Sequence, residues 1–207
     1  QIDRQIDNDF KNKFTIIQKP SFAYSYLGFN LKNEKFKDIR IRQALSLAIN
    51  RQEMVDILFF GYGKICNGPF LPDSFAYNEN IKPITQDINK AKALLKEAGY
   101  DENNPFTFEL VTNTGNDTRI NAAQILQYQL EKTGVKMSIK VMEWQAFLNT
   151  VVHPKKFQAV LLGWSLALMP DAFPLWHSSS SKLGGFNLVS YENEKVDKLI
   201  EQGSTTI

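Results

Sequence analysis

The chain has 207 residues, of which 43% are hydrophobic and 22% are charged, so it can bury the core of a globular protein. Its formal net charge is +2, and acidic and basic residues are interleaved without a Lys/Arg block, which argues against nucleic acid or an anionic membrane surface as a partner. The longest apolar runs, such as residues 159–163, are far too short to cross a bilayer.

The first part of the chain predicts extended structure followed by two helices. Residues 15–31 are rich in β-branched and aromatic side chains around a proline, and they predict two strands or one bent strand. Asp38 is a candidate N-cap for a helix over 39–49, whose apolar residues recur at helical spacing. Asn50 begins a second predicted helix, which Gly61 ends.

Residues 62–86 show neither a helical nor a strand period. They carry Gly, Pro, Asn and Asp at turn spacing and predict a long ordered loop. A loop of this length inside a compact domain is usually functional or covers another part of the protein.

The remainder of the chain alternates helices and strands. Asp87 caps the first of these helices, and either Asn116 or Asp117 caps the longest one. The predicted order is helix 88–99, strand 106–112, helix 118–134, strand 135–142, short helix 143–152, apolar strand 157–163 and helix 192–203. Such alternation indicates an α/β layer structure with helices packed over a sheet. One α/β domain is the prediction, and a split near residues 100–105 is the weaker alternative.

Candidate catalytic and metal-binding residues are sparse. His153 and His177 lie in different segments without a cysteine or carboxylate at ligand spacing, so no metal site is predicted. Cys66, the single cysteine, excludes an intrachain disulfide. It could act as a nucleophile with one of the histidines as base, but an inert buried cysteine is the commoner case. We therefore expect neither an enzyme nor a bound cofactor.

Five segments in register resemble a known family. They are YLGFNLKNEKFKDIRIRQALSLAINRQEMV (26–55), DINKAKALLKEAGY (87–100), TNTGNDTRINAAQILQYQLEKTGVKMSIKVMEW (112–144), LLGWSLALMPDAFPLWHS (161–178) and NLVSYENEKVDKLIEQG (187–203). Their order and spacing resemble the bacterial extracellular solute-binding proteins of family 5, which are the oligopeptide-, dipeptide- and nickel-binding components of ABC importers. The segment PDAFPLWHSSS most resembles the oligopeptide-binding subgroup.

The resemblance implies a fold and a place in a larger protein. Members have two lobes that close on the ligand like a clamshell (class II, or cluster C). This chain would be the second, C-terminal lobe over 15–207, a mixed β-sheet flanked by helices, preceded by a polar extension over 1–14. Its implied partners are a peptide ligand, the missing N-terminal lobe and the membrane permease subunits of an ABC transporter. The implied location is periplasmic or extracytoplasmic, with lipid anchoring through a segment outside these residues.

The resemblance also suggests which residues contact a ligand. Trp164 ends the predicted apolar strand, where the crevices of α/β sheets bind ligands, and the corresponding family residue lines the cleft. Trp144 falls on the family's Glu-Trp pair, with core packing as the alternative. Asn30 could hydrogen-bond an extended peptide, or it could simply end a strand. Trp176 and His177 are expected to pack or cap their turn.

One position departs from the family pattern. Ala167 stands where oligopeptide- and dipeptide-binding members have an aspartate that pairs with the ligand's α-ammonium group. Asp171 could replace that aspartate only if its turn folds back, and Val151 offers no charge near the family's cleft arginine. The predicted ligand-binding set is Trp164, Trp144, Asn30, Ser165, Ala167 and Asp171. Its apolar character admits longer or blocked peptides, a saccharide or a metal chelate, and a receptor or sensor module is the alternative function.

Overall fold

A four-stranded mixed sheet with helices on both faces forms the centre of the protein. The computed structural model describes residues 13, 15, 17, 19, 21–167 and 169–205. The strands are β1 (Ala23–Phe29), β2 (Thr107–Asn113), β3 (Lys136–Met142) and β4 (Ala159–Ser165), in the spatial order β1-β4-β2-β3. The longer helices are α1 (Ile39–Ala48), α2 (Arg51–Phe59), α3 (Ile88–Glu97), α4 (Asp117–Glu131) and α7 (Glu194–Thr205). The single-turn helices are α5 (Trp144–Phe147) and α6 (Phe173–Trp176).

The strand directions bring one end of each of the four strands to the same edge of the sheet. Strand β2 runs parallel to β3 and β4, whereas β1 pairs antiparallel with β4, so that Ala23 lies opposite Ser165 and Phe29 opposite Ala159. The ends of β2, β3 and β4 and the beginning of β1 therefore meet. We call this the carboxyl edge and define it by Asn113, Met142, Ser165 and Ala23. The predicted mixed α/β fold is confirmed.

Strand β4 is buried on both faces because it separates two apolar clusters. Ala159 and Leu161 face the larger cluster, which α1, α3 and α4 cover, while Val160 and Leu162 face the smaller one. The smaller cluster is closed by Phe147, Val151, Val152 and Leu188. The continuous apolar run in β4 follows from this double burial, which is typical of central strands in parallel sheets.

Local capping chemistry sets the helix starts. The side chains of Asp38, Asn50, Asp87 and Asn116 each accept a backbone N–H from the first turn of α1, α2, α3 and α4. Of the two candidates for the longest helix, Asn116 is therefore the cap. Each such cap stabilises its helix by about 1 kcal/mol.

Several boundaries differ from the sequence expectation. Helix α2 ends at Phe59, and its C-cap Phe60 adopts the left-handed conformation (φ 53°) one residue before Gly61. The predicted short helix is α5 followed by a π-helical turn over Leu148–Val152. Residues 62–86 form no helix or strand, as predicted. The predicted domain boundary at residue 14 lies outside the described residues. No described helix has the length and apolar character needed to span a membrane.

Candidate functional site

Trp164 forms a partly exposed aromatic wall at the carboxyl edge. Its indole stacks on Tyr26 with ring centroids 6.1 Å apart and an interplanar angle of 8°. Phe186 meets the indole edge-on at 5.9 Å and is itself 57% exposed. The protein's own side chains therefore fix the indole without sealing it from solvent. Its contact with a ligand stays a prediction.

Two tyrosines extend this aromatic wall along β1. Tyr24 lies opposite Trp164 in the sheet register, and its ring is 6.0 Å from that of Tyr26. Burial raises the pKa of Tyr24 to about 12, with a smaller contribution from the Cys66 thiol. Burial also raises the pKa of Tyr26 well above its usual range, and its hydroxyl has no hydrogen-bond partner among the described residues. Both phenols are therefore neutral at physiological pH.

Arg119 places a positive charge beside this wall, a feature that the sequence analysis missed. It lies in the first turn of α4, and its Nη1 donates to Oδ1 of Asn113 at 2.8 Å. A Cβ added to Gly163 would lie 3.1 Å from Nη2, so the guanidinium rests directly on the strand that carries Trp164. Burial lowers the pKa of Arg119, yet a guanidinium stays charged in proteins. The one available signal was a cation in the first turn of a helix, where the helix dipole disfavours it.

Trp144 also lies near the carboxyl edge but on a different strand. It begins α5 directly after β3, is 39% exposed, and its ring lies 6.3 Å from that of Phe147. Strand β2 separates β3 from β4, which puts the two tryptophan-bearing strands about 10 Å apart. Trp144 and Trp164 therefore share an edge without contact between their rings.

Asn30 lies away from the carboxyl edge, unlike Trp164 and Trp144. It follows Phe29, and because β1 runs antiparallel to β4 this end of β1 lies beside the beginning of β4. Six residue steps along β1 amount to about 20 Å. Asn30 is 8% exposed, and its Nδ2 donates to the carbonyls of Lys155 (3.0 Å) and Phe157 (3.1 Å). Its side chain fixes a strand end, the alternative considered above.

The three candidate residues after Trp164 differ in their exposure and in their contacts. Ser165 is exposed as the last residue of β4. Ala167 is exposed and contributes no charge. Asp171 uses its carboxylate locally, since Oδ1 accepts the backbone N–H of Phe173 at 2.9 Å. The Asp171 carboxylate is therefore engaged in a local turn just before α6.

The remaining candidate residues serve packing. The ring of His177 stacks on Phe173 at 4.1 Å, and Trp176 packs against Tyr191 at 6.1 Å, as expected. Cys66 is half-buried, and burial raises the pKa of its thiol, which disfavours the reactive thiolate. No group of His, Cys, Asp and Glu among the described residues is arranged to hold a metal ion.

A shallow depression lies on the opposite edge of the sheet from Trp164. Its volume is about 390 Å³, and its lining includes Lys35, Thr107, Lys136 and Gln158. Lys35 donates to the carbonyl of Thr107 at 2.6 Å, so this cation is already engaged. The aromatic carboxyl edge is therefore the better candidate site.

Comparison with known proteins identifies the family. Residues 1–186 match the sequence model for the middle part of the bacterial extracellular solute-binding proteins, family 5 ("family 5 Middle"). The oligopeptide-binding protein AppA of Bacillus subtilis is 35% identical over 207 residues, which cover 94% of this chain and 38% of AppA. The glutathione-binding protein GsiB of Escherichia coli K12 is 31% identical, covering 95% of this chain and 39% of GsiB.

Solved structures give the same result. AppA from Bacillus subtilis in complex with a nonapeptide aligns with a TM-score of 0.83 at 35% identity, covering 90% of this chain and 40% of that one. NikZ from Campylobacter jejuni in complex with Ni(L-His) also aligns with a TM-score of 0.83, at 31% identity, covering 97% of this chain and 43% of NikZ. The chain thus spans about two fifths of the length of these relatives. It belongs to the family 5 bacterial extracellular solute-binding proteins, with an oligopeptide-binding protein among its similar relatives.

Proposed function

We propose that this chain is one lobe of the substrate-binding component of an ABC importer, and that the ligand is an oligopeptide. The observation that carries the proposal is the partly exposed stack of Trp164 on Tyr26 at the carboxyl edge. Aromatic side chains that are fixed in position and remain open on one side form typical walls of small-ligand sites. The similarity to AppA, whose solved structure contains a nonapeptide, supports a peptide over other solutes.

The proposed mechanism is non-covalent. An extended peptide lies across the carboxyl edge, where Trp164 and Phe186 supply apolar contact area and the exposed end of β4 at Ser165 offers backbone hydrogen bonds. A second lobe then closes on the peptide from the other side, as two-lobed binding proteins do. No bond in the ligand is made or broken, and we assign this chain no enzymatic role.

The place of the chain in the whole protein is part of the same proposal. Residues 15–207 form the C-terminal lobe, and residues 1–14 precede it as a polar extension. The remaining parts supply the N-terminal lobe, and the permease subunits of the transporter receive the ligand. Family membership supports an extracytoplasmic location, and lipid anchoring through a segment outside these residues completes the proposal.

Calorimetric titration of the full-length protein with a peptide library tests this function. We expect micromolar or tighter binding of at least one peptide and much weaker binding to the isolated 207-residue chain, because one wall of the site is missing there. Trp164→Ala in the full-length protein should weaken binding, while Tyr128→Ala, which removes an exposed ring near the other end of α4, should not. A full-length protein that binds no peptide would exclude the proposal.

A nickel–histidine chelate is the second candidate ligand. NikZ in complex with Ni(L-His) aligns as well as AppA does, with the same TM-score. Since the described residues contain no ready group of metal ligands, such a complex would have to bind largely through its organic part. Titration with Ni²⁺ and L-histidine together, against each alone, separates this ligand from a peptide.

A further inference from the structure

His177 joins a short turn to helix α7. Residues Ser178–Ser181, which we call the serine turn, form a single turn of 3₁₀-helix, and His177 is its N-cap. The imidazole Nδ1 accepts the backbone N–H of Ser179 at 3.1 Å and lies 2.8 Å from the hydroxyl oxygen of the same residue. The other ring nitrogen, Nε2, lies 3.2 Å from Oε1 of Glu201 in α7. Because a ring nitrogen that accepts a backbone N–H carries no proton, this geometry is that of the neutral ring with its proton on Nε2.

Packing and charge hold the ring in place when it gains a second proton. It stacks on Phe173 of α6 at 4.1 Å, and the side chain is 12% exposed. The carboxylates of Glu201 and Asp197 face it from α7, whereas α6 and the serine turn contain no charged residue. Hydrogen bonds from Ser178 lower the pKa of Asp197, so this carboxylate is ionised wherever a histidine changes charge. An imidazolium at position 177 therefore has two anionic neighbours and stays in place.

The second proton removes an acceptor from the serine turn. An imidazolium donates from both ring nitrogens, so Nδ1 no longer accepts the backbone N–H of Ser179. The Ser179 hydroxyl can rotate and accept from Nδ1, but the backbone N–H loses its partner. The contact between Nε2 and Glu201 is kept, because it needs only the proton that Nε2 already carries. Protonation therefore loosens the turn without releasing the ring from α7.

The serine turn supports the segment that carries Phe186. The carbonyl of Ser180 accepts the backbone N–H of Asn187 at 3.1 Å. Gly185 packs so closely against the same carbonyl that an added Cβ would collide with its oxygen. Phe186 in turn meets the Trp164 indole edge-on at 5.9 Å. A looser turn therefore weakens the support of the aromatic wall at the carboxyl edge.

Charged side chains hold the far end of the turn. Lys155 donates to the carbonyls of Ser181 and Asn187 at 2.6 and 2.7 Å. The Ser181 hydroxyl donates to Glu192 at 3.0 Å, and this hydrogen bond, together with the nearby Lys32, lowers the pKa of Glu192. A change at the beginning of the turn is therefore confined to its first residues and to the segment that rests on them.

We propose that His177 is a pH-sensitive switch whose protonation releases the Ser179 N–H, loosens the serine turn and frees residues 182–186, which carry one side of the aromatic wall. It acts between about pH 8 and pH 5, the interval in which histidine changes charge. The switch itself does not depend on the identity of the ligand. Its consequence rests on the proposed peptide-binding function: a peptide that contacts Phe186 binds more weakly at acidic pH.

Hydrogen exchange followed by mass spectrometry tests the switch in the full-length protein without a ligand. The protection of residues 178–186 is measured from about pH 8 to pH 5 and corrected for the intrinsic exchange rate at each pH. We expect protection of this segment to fall by about 2- to 30-fold at the acidic end, the range for loss of an N-cap acceptor. Protection of β4 should stay constant.

Protein variants separate a switch from a purely structural role. His177→Asn supplies a side chain that caps the turn but does not titrate, so protection should no longer depend on pH. Glu201→Gln keeps an acceptor for Nε2 but removes a charge that favours the imidazolium. The fall should then occur about 0.2–0.7 pH unit lower, the size of an exposed ion pair. His153→Asn, at an exposed histidine, is the matched control and should leave the pH dependence unchanged.

Two results would overturn the inference while leaving the proposed function in place. One is unchanged protection of residues 178–186 across this pH range in the unmodified protein, a measurement that needs no variant. The other is a pH-dependent loss of protection that persists in folded His177→Asn. If the exchange behaves as expected but no library peptide binds the full-length protein, the peptide-binding function is wrong and the switch remains.

Discussion

Replacing Gly163 with alanine tests how closely Arg119 and the sheet pack at the carboxyl edge. The new Cβ would lie 3.1 Å from Nη2 of Arg119 and 3.1 Å from the carbonyl oxygen of Tyr24. The carbonyl belongs to the paired strand β1 and has little freedom to move, while the guanidinium is anchored on Asn113. The substitution therefore overpacks the site from two sides.

The expected cost follows from two opposing contributions. Overpacking a well-packed site costs about 1–3 kcal/mol. Replacing glycine with alanine in a strand returns about 0.5 kcal/mol, because the unfolded chain loses conformational freedom. We expect Gly163→Ala to lower the free energy of unfolding by about 0.5–2.5 kcal/mol, the balance of these contributions.

Urea unfolding followed by circular dichroism measures this change. Gly68→Ala is the matched control, since a Cβ added there meets no atom within 4 Å, and its effect should stay within about 0.5 kcal/mol. In the Arg119→Ala background the cost of Gly163→Ala should shrink by at least about 0.5 kcal/mol, as for residues in direct contact. A Gly163→Ala protein as stable as the wild type would refute the packing described here.

Three further predictions concern the sheet and its core. Asn30→Ala leaves two backbone carbonyls without donors and should cost about 1–3 kcal/mol of stability without changing ligand affinity. Phe36→Ala removes a fully buried ring that contacts three other phenylalanines, at a cost of about 3–5 kcal/mol in urea unfolding. Tyr24 should ionise near pH 12 by ultraviolet absorbance, and since its folded pKa is raised from 10.0, it should make the protein less stable as pH rises above about 10.

Each of these predictions has its own control and contrary outcome. If Asn30→Ala lowers the ligand affinity of a folded protein, Asn30 contributes to the ligand site. Phe75→Ala, at a side chain that is 73% exposed, is the control for Phe36 and should change stability by less than about 0.5 kcal/mol. If Tyr24→Phe removes an absorbance change near pH 10, and none near pH 12, the Tyr24 hydroxyl is not shielded.

Features decided by neighbouring residues were predictable from the sequence. The caps at Asp38 and Asn50 act on the first turn of their own helices, so the residue type and the following pattern suffice. The double burial of β4 was equally visible, because a strand covered on both faces needs apolar residues at consecutive positions. Trp164 could be placed at a strand end for the same reason.

Features decided by the relative direction of distant segments were not predictable. Asn30 was grouped with Trp164 as a candidate ligand contact, but the antiparallel pairing of β1 with β4 places it at the other edge of the sheet. Arg119 was missed because its environment consists of Asn113 and Gly163 on two different strands. Neither the sequence around Arg119 nor the sequence around Gly163 indicates that this guanidinium packs against this glycine.

A crystal structure of the full-length protein with its ligand bound tests the central claim most directly. We predict that the ligand lies at the carboxyl edge, with heavy atoms within about 4.5 Å of the Trp164 indole, the distance of side-chain contact. A ligand bound elsewhere, with the Trp164 edge buried against other parts of the protein, would contradict it.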